Sequence, residues 1–261
     1  MCGVRKGRVT GMAEVLCVKE LCKDQILEQV SFSVERGEMV AIMGPSGSGK
    51  STLLYQIAGM DEASGGEIRL DGTEITGLSE DERARVRLHG LGFVFQQMNM
   101  LSNLNLLDNI LLPAVQANRH KKKGRKTRQE LEETAYGLMQ KLSVRELADR
   151  KITEVSGGQL QRACICRSMM NEPKLLLADE PTGALNQSAA EEVMDEFVRL
   201  NRGGTTILMV THDSRVASRC NRILYLLDGG IRGELCLGKL ARAAKKDRER
   251  AVSDWLGQLG W

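Results

Sequence analysis

Apolar positions recur along this chain in two rhythms. Compact runs rich in Val, Ile and Leu, bounded by Gly, Asp and Ser, predict strands at residues 14–18, 30–34, 39–43, 66–70, 92–95, 174–178, 206–210 and 222–227. Between the later runs the spacing changes to i, i+3, i+4, which gathers apolar side chains on one helical face, as over residues 51–58 and 160–170. Strands alternating with helices predict an α/β fold with a mostly parallel core sheet. The first strands are joined by short polar turns with no helix between them, so an antiparallel N-terminal β flank is expected. From about residue 98 to 150 the strand rhythm disappears, which predicts a helical subdomain inserted into the α/β core. Residues 1–11 are polar, Gly-rich and aperiodic and read as a disordered extension, with Met12 as an alternative start of translation.

One junction between the rhythms carries chemistry. The strand at 39–43 runs into Gly44-Pro45-Ser46-Gly47-Ser48-Gly49-Lys50-Ser51, followed by Thr52 on a helix, and fills every fixed position of G-x-x-x-x-G-K-[ST]. Glycines let the main chain curl until consecutive N–H groups point at phosphate oxygens, and the following helix adds partial positive charge. Lys50 can then reach the β- and γ-phosphates, and the Ser51 hydroxyl can ligate Mg²⁺. A Gly-rich turn before an ordinary helix is the competing reading, and the strand–loop–helix context argues against it. The expected ligand is a nucleoside triphosphate.

Further along, Ser156-Gly157-Gly158-Gln159 precedes the helical stretch at 160–170 and offers a second phosphate site at a helix N-terminus, or an ordinary cap. The apolar run at 174–178 ends in Asp179 and Glu180. Asp179 at the strand end can hold Mg²⁺, and Glu180 can polarise an attacking water as general base; a surface acidic pair is the plain alternative. The run at 206–210 delivers Thr211, His212 and Asp213. His212 is either structural or a donor to the γ-phosphate. Gln96 follows the run at 92–95, where its amide oxygen could reach Mg²⁺ or the water.

In this order, from residue 14 to about 240, these elements resemble an ATP-binding-cassette (ABC) ATPase. The resemblance maps the family's phosphate loop to residues 44–51, its glutamine loop to Gln96, and its signature to residues 156–159, with Val155 where leucine is usual. The magnesium aspartate maps to Asp179, the catalytic glutamate to Glu180 and the switch histidine to His212. The wording Gly92-Phe93-Val94-Phe95-Gln96 and Ala178-Asp179-Glu180-Pro181-Thr182-Gly183-Ala184-Leu185-Asn186 looks like the subfamily of lipoprotein release, macrolide export and antimicrobial-peptide resistance, whose permeases are separate chains. A phosphate-loop NTPase core at 12–97 and 160–240 and an inserted signature subdomain at 98–159 are implied, and apolar periodicity beyond the resemblance adds a C-terminal amphipathic helix at 241–261. So are ATP and Mg²⁺, the latter on Ser51, Asp179 and Gln96. The family mechanism further implies a head-to-tail homodimer with ATP sandwiched between protomers, Ser156 acting in trans, and an integral-membrane permease as partner. The alternative is a non-transport ABC ATPase that remodels a cell-envelope or division complex. Two positions depart from the family pattern: Leu21-Cys22-Lys23-Asp24-Gln25-Ile26-Leu27 lacks the aromatic that stacks on adenine, and Asn186 stands where aspartate is usual.

Bulk composition narrows the partners. In 261 residues, 37 Lys and Arg face 34 Asp and Glu, a net charge of +3 that is too mild to argue for nucleic acid. The seven cysteines are an odd number without paired C-x-x-C spacing, which points to a reducing compartment, and Cys164 and Cys166 read as small buried apolar residues. No apolar run is long enough to span a membrane, so a cytoplasmic protein, peripheral on the inner face of the cell membrane through its permease, is expected.

Three segments carry two readings each. The basic run Asn118-Arg119-His120-Lys121-Lys122-Lys123-Gly124-Arg125-Lys126 is a solvated loop or a phosphate or lipid site, and the loop is favoured. Met98, Met100, Leu101, Leu104 and Leu106 are core residues or a partner surface. Val252, Trp255, Leu256 and Leu259 form one helical face, behind a basic cluster at Lys245, Lys246, Arg248 and Arg250. That face folds back on the core or docks to the permease or to anionic lipid.

Overall fold

The computed structural model describes residues 13–121, 123–240 and 245–261, so the expectations for residues 1–11 and Met12 lie outside the described residues. The chain runs β1 (Glu14–Lys23), β2 (Leu27–Glu35), β3 (Met39–Met43), α1 (Lys50–Ile57), β4 (Gly65–Leu70), β5 (Thr73–Glu74), α2 (Glu80–Gly90), β6 (Leu91–Val94), α3 (Leu106–Arg119), α4 (Arg128–Lys141), α5 (Gly157–Met169), β7 (Leu175–Asp179), α6 (Gln187–Arg202), β8 (Ile207–Val210), α7 (Ser214–Ala217), β9 (Arg222–Leu227), β10 (Gly230–Cys236) and α8 (Lys245–Gln258).

A six-stranded sheet of order β10-β9-β3-β8-β7-β6 forms the centre, parallel from β9 to β6 and closed by antiparallel β10. Every residue of β3, β7 and β8 is buried, because helices or a second sheet cover both faces. This two-sided burial is why those strands are unbroken apolar runs instead of alternating ones. Met39, Ala41 and Met43 point into one core with residues of α3 to α6 and α8, while Val40 and Ile42 point into another with α1 and the N-terminal strands. The expected antiparallel flank is a four-stranded sheet of order β2-β1-β4-β5.

Several elements differ from the sequence expectation for physical reasons. β1 runs on to Lys23 because an irregularity with Glu20 at φ 48° absorbs the adjacent polar pair Lys19 and Glu20, and Leu21 returns to full burial. α2 buries no side chain, so it has no apolar stripe to announce it; its signal is the Ser79/Glu82 capping box. α5 starts at Gly157, so residues 157–159 are its first turn and do not precede it. The basic run is the α3–α4 loop, where Asn118 Nδ2 donates to Lys126 O at 2.7 Å and the described lysines are exposed, as favoured. Cys164 and Cys166 are buried, and burial pushes the Cys164 thiol up to about 11.

α8 takes the core-packing alternative. Val252 and Leu256 are fully or almost fully buried, with Trp255 and Leu259 packed beside them. The basic cluster does not face headgroups as one unit: Lys245 pairs with Glu191 at 3.1 Å, and Arg248 is buried. The Arg248 guanidinium donates to Ser218 O at 2.7 Å, Leu237 O at 2.9 Å, Gly238 O at 3.1 Å and also to Cys220 O. The lipid-docking reading of this face is therefore set aside. Arg248→Ala should cost about 2–3 kcal/mol by stranding buried carbonyls, seen as a melting point roughly 4–12 °C lower. An unchanged melting point would mean the helix is not fastened by this residue.

Candidate active site

The parallel strands β3, β6, β7 and β8 all end on one edge, and each hands a polar segment to it: residues 44–51, Gln96, Asp179 with Glu180, and His212. Gly44 lies so close to the neighbouring strand β9 that a Cβ would stand 2.1 Å from Leu226 O and 2.6 Å from Ser48 Oγ. Only glycine fits there. Gly47 and Gly49 have φ of 83° and 95°, the left-handed region that closes the loop. α1 then opens with no side-chain cap and no acidic residue in its first turn, leaving its N–H groups free for an anion.

Lys50 is buried, and its Nζ donates to Pro45 O at 2.7 Å across the loop. Burial lowers its pKa, while the Glu180 and Asp179 carboxylates pull the other way. Ser48 Oγ is buried without a partner, an orphan that fits a loop shaped around a ligand. Ser51 Oγ donates to Asp179 Oδ1 at 3.0 Å. This hydroxyl and carboxylate are hard oxygen donors of the kind Mg²⁺ takes, with phosphates completing its shell. Among the described residues no group of three His, Cys, Asp or Glu could hold a metal unaided.

Glu180 sits at φ 44°, unusual for a residue with a Cβ. Its N–H donates to Val210 O and its carbonyl accepts from Gly183 N, both at 3.0 Å, which hold the turn. Glu180 Oε1 meets His212 Nδ1 at 2.8 Å. With the carboxylate ionised, it accepts this bond and Nδ1 donates it. Gln96 is exposed beside this turn; a Cβ on Gly183 would come 3.5 Å from its Nε2.

These groups line a cleft of about 700 Å³ that includes Pro45, Ser46, Thr52, Gln96, Glu180 and His212, with Asp179 and Ser48 beneath its floor. It also includes Ile26, from the segment where the family's adenine-stacking aromatic is usual, and Trp261, which sequence reasoning does not place here. Trp261 lies off the apolar face of α8, and no local pattern ties it to the loop. Residues 156–159 are not in the cleft: Ser156 caps α5, accepting from Gln159 N at 3.3 Å while its own N–H donates to Gln159 Oε1 at 2.8 Å. Asn186 caps α6 by accepting from Ala189 N at 2.9 Å, a task its amide oxygen performs without charge.

A main-chain cradle at the end of a central parallel strand, facing an acidic strand end, suits a nucleotide held by its phosphates; the class is that of the phosphate-loop nucleoside triphosphatases. Residues 27–183 match the family model for "ABC transporter". The chain is 42% identical over 228 residues to the lipoprotein-releasing system ATP-binding protein LolD of Aquifex aeolicus, covering 86% of this chain and 99% of that one. It is 40% identical over 224 residues to the bacitracin export ATP-binding protein BceA of Halalkalibacterium halodurans, covering 85% and 86%. In structure it is similar to the bacterial ABC transporter cassette MJ0796, solved as a dimer, with a TM-score of 0.76, 35% identity and coverage of 86% of this chain and all of that one. The chain belongs to the ABC transporter family, as one of its ATP-binding, ATP-hydrolysing subunits.

Gly44→Ala should force the loop away from Leu226 and weaken ADP binding at least tenfold, against roughly 1–3 kcal/mol for overpacking in general. Calorimetric titration with ADP would read this, and parent-like affinity would show that the loop can move aside.

Proposed function

We propose that this chain works as a head-to-tail homodimer that closes on ATP and drives a separately encoded permease. The observation that carries the reading is the separation within one chain of the cleft from residues 156–159. A single copy offers half of each site, and a second copy, docked head to tail, would bring its exposed Ser156 and Gly157 over the first copy's phosphates. The MJ0796 cassette, also solved as a dimer, supports a two-copy assembly.

In this reading the loop N–H groups, Lys50 and Thr52 hold the triphosphate. Glu180 takes a proton from water as the water oxygen attacks the γ-phosphorus and ADP leaves. His212 reaches the γ-phosphate through Nε2, which donates only from the imidazolium because Nδ1 already donates to Glu180. Ser51 and Asp179, with Gln96 at the rim, would hold Mg²⁺, whose charge offsets that of the phosphates. The ATP-binding core is assigned to residues 12–97 and 160–240 and the inserted signature subdomain to residues 98–159, with α8, in the described part of residues 241–261, as an appended helix.

The permease supplies the membrane span, since among the described residues no helix is long and apolar enough to cross a membrane. The chain would sit peripherally on the cytoplasmic face. LolD and BceA are named for lipoprotein release and bacitracin export, so a lipoprotein, peptide or antibiotic is the cargo class this likeness supports. A groove of about 540 Å³ between α3 and α4, lined by Leu104, Leu111, Leu112 and Val115 with Arg119 and Arg128, is the surface proposed for the permease. Leu112 is exposed there, whereas Met100 packs against the core and Leu106 is fully buried in it.

Glu180→Gln should keep ATP binding and lose hydrolysis by 10²-fold or more, a scale typical of general-base removal, and should run as an ATP-dependent dimer on size-exclusion chromatography. Turnover within a few-fold of the parent would rule out Glu180 as the base. Leu104→Asp with Leu112→Asp should abolish co-purification with the permease while leaving basal ATP hydrolysis within about twofold. Retained co-purification would move the permease surface elsewhere.

A further inference from the structure

We infer that Trp261 is the base-binding residue of the nucleotide site, laying its indole against the base while residues 44–52 hold the phosphates. The inference rests on the reading of those residues as the phosphate site and adds what binds the rest of the nucleotide. Most residues lining the cleft are glycines or carry polar side chains. Apart from Pro45, its apolar side chains are Ile26 and Trp261, 39% and 46% exposed. Five large apolar side chains are this exposed among the described residues, and two of them share this one cleft.

Trp261 does not hang free. α8 ends in a left-handed Gly260 at φ 82°, and the Trp261 N–H turns back to Leu256 O at 3.1 Å, the bond of a glycine-terminated helix end. The ring is braced against Tyr225, with centroids 5.9 Å apart and planes at 69°. Tyr225 is buried on β9 in register with Met43, the residue just before Gly44. The indole is thus braced beside the start of the phosphate loop while nearly half of its surface stays open to the cleft. On the other wall, the β1–β2 connection offers Ile26 and no aromatic. A base above the polar floor therefore finds one π surface, and base–aromatic stacking is strong and tolerant of base identity. The bound nucleotide would span from α1 to Trp261, the third residue beyond α8.

The test compares ADP with inorganic pyrophosphate, which shares its phosphates and lacks the base. Trp261→Ala should weaken ADP binding in calorimetry by roughly 5- to 100-fold, the range of one lost stack, and leave pyrophosphate binding within about twofold. GDP should weaken as much as ADP, and Trp261→Phe should restore most of the affinity. Unchanged ADP affinity in Trp261→Ala, or equal losses for ADP and pyrophosphate, would overturn the inference. Absence of ADP and pyrophosphate binding by the unchanged chain would overturn the phosphate reading and this inference with it.

Discussion

The closeness of Gly44 to the Leu226 carbonyl governs the arrangement of the site. β3 lies between β8 and β9, and its continuation must turn over the edge of β9 without a Cβ in the way. The tight turn leaves Lys50 buried with its ammonium on Pro45 O, and lets α1 start uncapped directly under the cleft. A looser turn would carry Lys50 and Ser51 away from the ends of β7 and β8. The contact between Ser51 and Asp179 would then have no reason to form, since the two residues lie 128 positions apart in the chain. One backbone contact between adjacent strands thus sets the distance between phosphate loop and carboxylates.

Charge in the site is arranged around the same geometry. Asp179 is buried at its strand end and bonded to the Ser51 hydroxyl, while Glu180 emerges through a left-handed turn toward His212. A residue with a Cβ in that conformation costs of order 1 kcal/mol or more. The strain is held by two backbone bonds, and it aims consecutive carboxylates at different tasks. In an ordinary extended strand, neighbouring side chains point to opposite faces of the sheet. The turn keeps both acids on the cleft side instead.

Local signals were legible in the chain and distant ones were not. The phosphate loop, the buried strands and the capping residue Ser156 depend on neighbours within a few positions, so pattern and turn chemistry identify them. α2 escaped because a helix with no buried residue has no apolar period, and the short edge element β5 offers too little pattern to register. Arg248 reads as one more surface cation in sequence, yet the fold closes four carbonyls around it. The place of Trp261 on the cleft depends on how α8 docks, which no window of adjacent residues contains.

The docking of α8 also ties this helix to the segment that carries His212. Arg248 grips the carbonyls of Ser218 and Cys220, which follow α7, the short helix that begins two residues after His212. The same guanidinium holds Leu237 and Gly238 beyond β10, so the His212 segment and the edge hairpin share one clamp. Asp213 caps α7 and pairs with Arg215, and those bonds hold its carboxyl below its ordinary range against the opposing effect of burial. His212 therefore stands just before a segment held on its C-terminal side by these bonds. Under the role proposed for His212, its ring would keep its Nδ1 bond to Glu180 and offer Nε2 from a segment held in place by these contacts.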